Sequence, residues 1–261
     1  MKMAPRSKIA IGLILTATVL LVLPADAGFQ IRSAPIAGKR YLLLRDVAAF
    51  YGMKYRAGKD TALLTSKYSR LKFYKNLRKS TINGVQVHLS DAIGKWRNEL
   101  AVSETDFRLV LEPILRSRTL RPRTIKRIVI DPGHGGRDPG AQNSHDDEKK
   151  ITLAVARELY SILKRCGYKV TLTRTGDHSR SLRQRATAGG QAKADIFISL
   201  HTNSAAARHV KGVETYLLTP EGTSSTYSNS KKDTASPGNA YDEENTRLAY
   251  EIQKEVVTTT G

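Results

Sequence analysis

Residues 127–136 read RIVIDPGHGG, and the alternating pattern of the second half of the chain starts from this stretch. The apolar residues after Arg127 are typical of a buried strand, and the glycines beyond them allow the backbone to turn sharply. His134 lies in that turn. In open sheets built from alternating strands and helices, functional groups gather where the strands end. The stretch therefore predicts a buried strand with a chemically active histidine at its carboxyl end.

Predicted strands and helices alternate downstream of this stretch. An amphipathic helix is predicted from Glu148 to Cys166. Its apolar stripe is Ile151, Val155, Leu159, Ile162 and Cys166, and we expect the cysteine to be buried. Further strands are predicted over 168–173, 195–200 and 213–218, with helices over 180–192 and 242–257. This alternation predicts an α/β fold, with a mainly parallel twisted sheet and helices on both faces.

The preceding part of the chain is predicted to be a small α+β module. Short strands are expected over 40–44, 62–65, 71–74, 80–82 and 85–89, with short helices over 46–51 and 106–115. Asn83-Gly84 predicts a two-residue hairpin, and Asp46 is expected to cap the first helix. Leu44-Arg-Asp-Val47 and Ile82-Asn-Gly-Val85 resemble the copper amine oxidase N-terminal-like domain. This resemblance implies an envelope module without catalytic residues and without a copper site.

The whole chain has a formal charge of +19, and the positive charge is concentrated in its first half. Residues 28–130 hold 22 Lys/Arg against 7 Asp/Glu, a net +15, whereas residues 131–261 hold 18 against 16, a net +2. We predict a basic module over 28–118, a linker over 119–126 that contains Pro122, and a second domain over 127–261. The charge predicts that the module binds an anionic polymer of the envelope.

Residues 1–27 have the pattern of a signal peptide. Three cations precede an apolar run over 9–23, and Pro24 then leads into the cleavage-type sequence Ala25-Asp-Ala27. The alternative is a membrane anchor, but a spanning helix needs about 20 apolar residues. We predict an exported protein of the periplasm, cell envelope or extracellular space, with no membrane span after signal cleavage. The single cysteine excludes an intramolecular disulfide framework.

Three residues have the types and positions of metal ligands. His134 follows the first strand of the second domain, His201 follows the strand over 195–200, and Glu148 opens the helix between them. Two histidines and a carboxylate suit a catalytic zinc ion, with a fourth position left for water. Each histidine alone could instead be a polar surface residue or a hydrogen-bonded strand end. His145 lies in a polar loop, and we expect it to face solvent.

Longer motifs make the second domain resemble the zinc-dependent N-acetylmuramoyl-L-alanine amidases. They are Ile130-Asp-Pro-Gly-His-Gly-Gly-Arg-Asp-Pro-Gly-Ala141, Glu148-Lys149, Leu172-Thr-Arg174, Ala194-Asp-Ile-Phe-Ile-Ser-Leu-His-Thr-Asn203 and Gly212-Val-Glu-Thr-Tyr216. The resemblance implies that His134, Glu148 and His201 bind Zn²⁺. It also implies cleavage of the amide between N-acetylmuramic acid and L-alanine in peptidoglycan.

The chain departs from the family pattern at two places. Lys150 stands where the family usually has Asp, and the general-base Glu of the family is expected beyond Gly261, so the domain is expected to be incomplete at its carboxyl end. The catalytic base is therefore unknown, and Glu214 is not assigned that role. Asn203 is the candidate substrate-binding residue. Arg174 and Arg185 are expected either to contact substrate or to form surface salt bridges.

Three functions remain open from the sequence. The first is zinc-dependent peptidoglycan amide hydrolysis in cell wall remodelling. The alternative is a non-catalytic peptidoglycan-binding or envelope-binding protein, since the general-base Glu is missing. Nucleic-acid binding is suggested by the basic module alone, but the signal peptide and the lack of a recognised nucleic-acid motif disfavour it.

Overall fold

The computed structural model describes residues 30–143, 146–202, 211–226 and 235–260. The chain divides into two compact units, and the division falls between Glu104 and Thr105. This position precedes the linker over 119–126 that composition suggests. Within the described ranges, no helix combines the length and the apolar character needed to cross a membrane. The predicted signal peptide lies outside the described residues.

From residue 30 onwards, the first unit has two antiparallel sheets and one short helix. The first sheet has the order β1-β2-β9-β8, and the second has the order β3-β4-β5-β6-β7. The strands are β1 Ser33–Ile36, β2 Lys39–Leu43, β3 Lys54–Ala57, β4 Thr61–Thr65, β5 Arg70–Tyr74, β6 Lys79–Ile82, β7 Val85–His88, β8 Gly94–Trp96 and β9 Glu99–Ser103. Helix α1 spans Leu44–Phe50.

Alternation of apolar and polar residues explains the second of these sheets. In β4 and β5, every second side chain is buried, among them Leu64, Leu71 and Phe73, which have no exposed surface. The predicted hairpin joins β6 and β7, and Asn83 and Gly84 both have positive φ, at 50° and 85°. Such a turn matches the twist of the flanking strands, so the local sequence is sufficient to specify it.

The predicted capping role of Asp46 was wrong. The N-cap of α1 is Leu43, whose side chain makes no capping hydrogen bond. Asp46 lies in the first turn instead, where its carboxylate accepts hydrogen bonds from Nε and Nη2 of Arg32 at 2.7 and 2.8 Å. The guanidinium ion satisfies the carboxylate more completely than a single helix N–H group would.

The second unit begins with a helical segment and then alternates strands and helices. Helix α2 (Glu104–Asp106) spans the boundary and continues through a π-helix (Phe107–Leu111) into α3 (Glu112–Leu115). A 3₁₀ helix covers Ser117–Thr119, and another covers Pro237–Tyr241. The remaining elements are β10 Arg127–Pro132, α4 Glu148–Arg165, β11 Lys169–Leu172, α5 Leu182–Gln191, β12 Ile196–Leu200 and α6 Asp242–Thr260.

The sheet of the second unit is parallel and has the order β11-β10-β12. Ile128 and Ile130 of β10 pack with Ala156 of α4 on one face. On the other face, Arg185 of α5 donates a hydrogen bond to Asp131. Both sheets of the first unit are antiparallel, so the predicted parallel pairing is restricted to these three strands. Their central strand, β10, is the strand predicted from residues 127–136.

Residues 213–218 were predicted to form a fourth strand, and they do not. The segment is irregular. The side-chain amide of Gln253 in α6 donates a hydrogen bond to the carbonyl of Val213 at 2.7 Å, and the hydroxyl of Thr215 donates to Gln253 at 2.8 Å. The segment is thus held by a helix side chain rather than by a strand ladder, which an apolar run alone does not reveal.

The buried face of α4 differs from the predicted stripe. Thr152 and Ala156 are buried, whereas Val155 is 50% exposed and Cys166 is also exposed, so the expected burial of the cysteine was wrong. The buried face of the helix instead begins at Glu148, whose carboxylate accepts a hydrogen bond from the Thr202 N–H at the sheet edge. Residues four and eight positions further along then face the sheet.

Candidate metal centre

The carboxyl ends of two neighbouring parallel strands bring the histidines together. β10 ends two residues before His134, and β12 ends directly before His201. The register pairs Pro132 with Leu200, so the segments that follow β10 and β12 leave the sheet side by side. Glu148 is the first residue of α4 and points to the same edge. The three residues that the sequence analysis selected therefore lie at one place in the structure.

The potential ligand atoms of these residues converge. Nδ1 of His201 lies 3.1 Å from Nε2 of His134 and 3.1 Å from Oε1 of Glu148. Nε2 of His134 lies 3.2 Å from the same carboxylate oxygen. The side chain of Glu148 is buried, that of His134 is 22% exposed and that of His201 is 43% exposed. The cluster is consequently closed towards the protein and open towards solvent on the side of His201.

Two backbone N–H groups hold the carboxylate of Glu148. Ala141 N–H donates to Oε2 and Thr202 N–H donates to Oε1, each at 2.8 Å. Burial by itself raises the pKa of Glu148, but these two hydrogen bonds and the neighbouring histidines outweigh it, so the pKa lies below its ordinary value. The group is therefore kept ionised, as a metal ligand must be.

Asp138 orients the ring of His134. Its Oδ2 lies 2.9 Å from Nδ1 of the histidine, so Nδ1–H donates to the carboxylate and Nε2 keeps its lone pair facing the cluster. The hydrogen bond from His134, together with one from the Gly140 N–H, lowers the pKa of Asp138. No role for Asp138 was predicted from the sequence. Its position four residues after the histidine in a glycine-rich loop was the available signal.

Two buried arginines hold the loop that carries His134. Arg174 donates from Nη2 to the carbonyl of Gly133 at 2.8 Å and from Nε to that of Pro132 at 3.1 Å. Arg185 donates from Nη2 to the carbonyl of His134 at 2.7 Å. Arg174 is 2% exposed and Arg185 is 8% exposed. Both side chains thus donate to backbone carbonyls beneath the site, and the ion pair of Arg185 with Asp131 is buried, so neither arginine forms the surface salt bridge that was considered from the sequence.

Asp131 joins this support to the sheet. Its carboxylate accepts hydrogen bonds from Nη1 of Arg185 at 2.7 Å and from the hydroxyl of Ser199 at 2.9 Å, and the hydroxyl of Thr173 also donates to it. Asp131, Thr173 and Ser199 lie on or directly after β10, β11 and β12, respectively. A single buried carboxylate therefore connects all three strands to Arg185, which holds the loop that carries His134.

Close packing around the cluster requires glycine at position 133. A Cβ atom at Gly133 would lie 2.5 Å from Cε1 of His201 and 2.7 Å from the carbonyl oxygen of Leu200. We expect Gly133→Ala to displace His201 and to weaken zinc binding about 10- to 100-fold, the usual effect of disturbing the groups around a metal ligand. Zinc titration of the purified variants by calorimetry measures this.

Gly190→Ala is the matched control for this substitution. Gly190 lies in α5, has no positive φ and has open space where its Cβ would be, so alanine is expected to leave zinc binding unchanged and to stabilise the helix by about 0.5–1 kcal/mol. Equal zinc affinity of the Gly133→Ala variant and the parent chain would contradict the packing argument.

The other residues singled out from the sequence contribute no described contact to the cluster. Asn203, the candidate substrate-binding residue, and His145 both lie outside the described residues. The side chain of Glu214 is exposed, and one of its oxygens accepts a hydrogen bond from the Tyr216 hydroxyl at 2.5 Å. None of these observations gives Glu214 a part in the cluster.

The donor set and its spacing fit a zinc ion. Ligand atoms bound at about 2.0–2.1 Å to a tetrahedral zinc ion lie about 3.3 Å from one another. The three separations in the cluster, 3.1, 3.1 and 3.2 Å, are close to this value. Two imidazole nitrogens and one carboxylate oxygen also suit zinc better than they suit calcium. His134, Glu148 and His201 are the group of potential metal ligands found among the described residues.

Comparison with known proteins connects this site to a family of cell wall enzymes. The family model described as N-acetylmuramoyl-L-alanine amidase matches residues 128–261. The amidase AmiC of Neisseria meningitidis is 37% identical over 99 residues, which are 38% of this chain and 24% of that protein. The sporulation-specific amidase of Bacillus subtilis is 40% identical over 102 residues, or 38% and 39% of the two chains. The probable cell wall amidase LytH of Staphylococcus epidermidis is 32% identical over 144 residues, or 54% and 47%.

Solved amidase structures match a similar share of the chain. The catalytic domain of CwlV from Bacillus (Paenibacillus) polymyxa is 40% identical, with 36% of this chain and 54% of that one covered and a TM-score of 0.35. The chain spans between about a quarter and a half of the length of the curated relatives described above. The family match covers just over half of the 261 residues and includes all three cluster residues. The chain belongs to the N-acetylmuramoyl-L-alanine amidase family.

Proposed function

We propose that the second unit hydrolyses the amide bond between N-acetylmuramic acid and L-alanine in peptidoglycan, with a zinc ion held by His134, Glu148 and His201. The convergence of these three ligand atoms at one sheet edge is the observation that carries the proposal. Membership of the amidase family supplies the bond and the substrate class. A zinc ion at such a site supplies Lewis acidity, which activates water and polarises an amide carbonyl.

The residues of the chain prepare the site for this reaction. Glu148 is kept ionised by the N–H groups of Ala141 and Thr202, and Asp138 keeps the proton of His134 on Nδ1. The exposed side of His201 leaves room for an amide substrate to approach. The Asn203 side chain, two residues further on, is proposed to contact that substrate. The general base stays unassigned among the described residues.

Hydrolysis of a defined substrate tests the proposed bond. The full chain, purified with zinc, is incubated with muramoyl-dipeptide or with purified peptidoglycan, and newly formed L-alanine amino termini and sugar reducing ends are both measured. We expect amino termini to appear, reducing ends to stay constant, and a chelator to stop the reaction until zinc is restored.

Two outcomes contradict the proposal. New reducing ends would show that a glycosidic bond is cleaved instead. Stoichiometric zinc without any release of L-alanine termini would favour the alternative function, a non-catalytic peptidoglycan-binding protein.

We also propose that the chain is exported and that its first unit binds an anionic polymer of the envelope. Export is supported by the signal-type pattern over residues 1–27, and the cell wall relatives support an envelope location. Polymer binding is supported by the excess of cations in residues 30–104, where 15 Lys/Arg stand against 5 Asp/Glu.

A further inference from the structure

The outward face of the sheet β3-β4-β5-β6-β7 carries a regular group of cations. Lys54 and Arg56 lie on β3, and Arg70 and Lys72 lie on β5, and all four are exposed. We call these four residues the basic quartet. The neighbours of Lys72 in β5, Leu71 and Phe73, face the opposite side and are fully buried, so the quartet lies on the side of the sheet away from its core.

The strand register arranges the quartet as a rectangle. Leu63 of β4 pairs with Arg56 on one side and with Lys72 on the other. Thr65 of β4 pairs in the same way with Lys54 and Arg70. Residues two apart on a strand are separated by about 7 Å, and strands on either side of a third are separated by about 10 Å. The Cα atoms of the four cations therefore lie at the corners of a rectangle of about 7 by 10 Å, with their side chains on the same face of the sheet.

The carboxylates of the first unit pair with cations outside the quartet. The strands β3 to β7 contain no Asp or Glu. All five acidic residues of the described first unit pair with other cations: Asp46 with Arg32, Asp60 with Lys75, Asp91 with Lys39, Glu99 with Arg45, and Glu104 with Arg40. No member of the quartet forms an ion pair with a described carboxylate, and Lys72 is stacked over the ring of Tyr74.

This separation argues against a role in solubility alone. Cations that only keep a protein soluble are mixed with carboxylates over the surface, because interspersed charges avoid self-repulsion. Here four like charges are held together by the sheet, and their mutual repulsion is relieved when an anion binds. A rigid sheet face also limits the conformational freedom that binding would otherwise cost.

From this arrangement we infer that the basic quartet binds a linear polymer of phosphodiester groups. Fixed anions repeated along a chain can contact several corners of the rectangle at once, whereas a single carboxylate reaches only one or two. Arg56 and Arg70 add planar donor groups that match phosphate oxygens. The choice of an envelope polymer rests on the proposed function, since that function places the chain at the cell wall.

A charge-matched pair of variants tests the inference on the full chain. Arg56→Gln with Lys72→Gln removes one edge of the rectangle, and Lys95→Gln with Arg97→Gln removes the same charge from exposed positions on and next to β8 in the other sheet. The probe is poly(glycerol phosphate), with binding measured by calorimetry at about 0.05 M and about 0.2 M salt. All proteins are first checked for an unchanged melting temperature.

The parent chain should bind the polymer at low salt and release it as salt rises. We expect the quartet variant to bind about tenfold more weakly, with a shallower salt dependence, since two charge contacts are lost. The control variant should stay within about twofold of the parent. Equal weakening of both variants would overturn the inference, because net charge rather than the quartet would then determine binding.

Binding to other polymers and the His134→Ala variant distinguish this inference from other ligands and from the proposed function. Preferential binding of single-stranded DNA, or of peptidoglycan freed of phosphodiester polymer, over poly(glycerol phosphate) would also overturn it. His134→Ala should retain polymer binding while losing hydrolysis. A chain that binds the polymer but releases no L-alanine termini would contradict the proposed function alone, and a chain that hydrolyses without binding would contradict the quartet alone.

Discussion

Replacing His134 or His201 by alanine is expected to remove zinc from the protein and to reduce L-alanine release to background. Each histidine provides one of the three convergent ligand atoms, so two ligands would remain. Loss of a group that only supports a ligand lowers metal affinity about 10- to 100-fold, and loss of the ligand itself should exceed that. Elemental analysis after dialysis and a competitive zinc titration measure the effect.

His88→Ala is the control for these variants. His88 is exposed on β7 in the first unit, and its ring contacts the side chain of Gln86 at 3.1 Å. Its replacement should change neither zinc content nor hydrolysis. Full zinc occupancy in both the His134→Ala and the His201→Ala variants would mean that the three residues are not the metal site.

Replacing Arg185 by lysine is expected to weaken both the second unit and its metal site. The guanidinium group donates at once to Asp131 and to the carbonyls of Pro132 and His134, and an ammonium group cannot span these acceptors. We expect the free energy of unfolding to fall by about 2–4 kcal/mol, because buried polar groups lose their partners. Zinc affinity should fall about 10- to 100-fold, because the loop that carries His134 loses its support.

Arg183→Lys provides the comparison, because this residue is exposed on the same helix. Its effect on stability should stay within about 0.5 kcal/mol. Cobalt substitution adds a readout that stability alone does not move, since the visible spectrum of bound cobalt reports the ligand geometry. A destabilised Arg185→Lys variant with unchanged zinc affinity and an unchanged cobalt spectrum would show that the arginine supports the fold but does not position His134.

Local sequence determined the elements that depend on neighbouring residues. The apolar run before Asp131 specifies a buried strand, and Asn83-Gly84 specifies a hairpin, because in both cases the deciding interactions are within a few residues. The same logic brought His134, Glu148 and His201 to one place, since carboxyl ends of adjacent parallel strands meet at one edge. Strand ends and a helix start were enough to select all three.

The contacts that hold these residues come from distant parts of the chain. Arg185 contacts Asp131 from 54 positions away, and the Thr202 N–H reaches Glu148 across the same distance. Such contacts have no local signature, so the two arginines could not be distinguished from surface cations, and the face of α4 could not be derived from its apolar stripe. Residues 213–218 have the composition of a strand, yet the carbonyl of Val213 and the hydroxyl of Thr215 form hydrogen bonds with the Gln253 side chain of α6. Elements such as β10 and the β6-β7 hairpin follow from neighbours along the chain, whereas the support of a site follows from which distant groups satisfy its buried polar atoms.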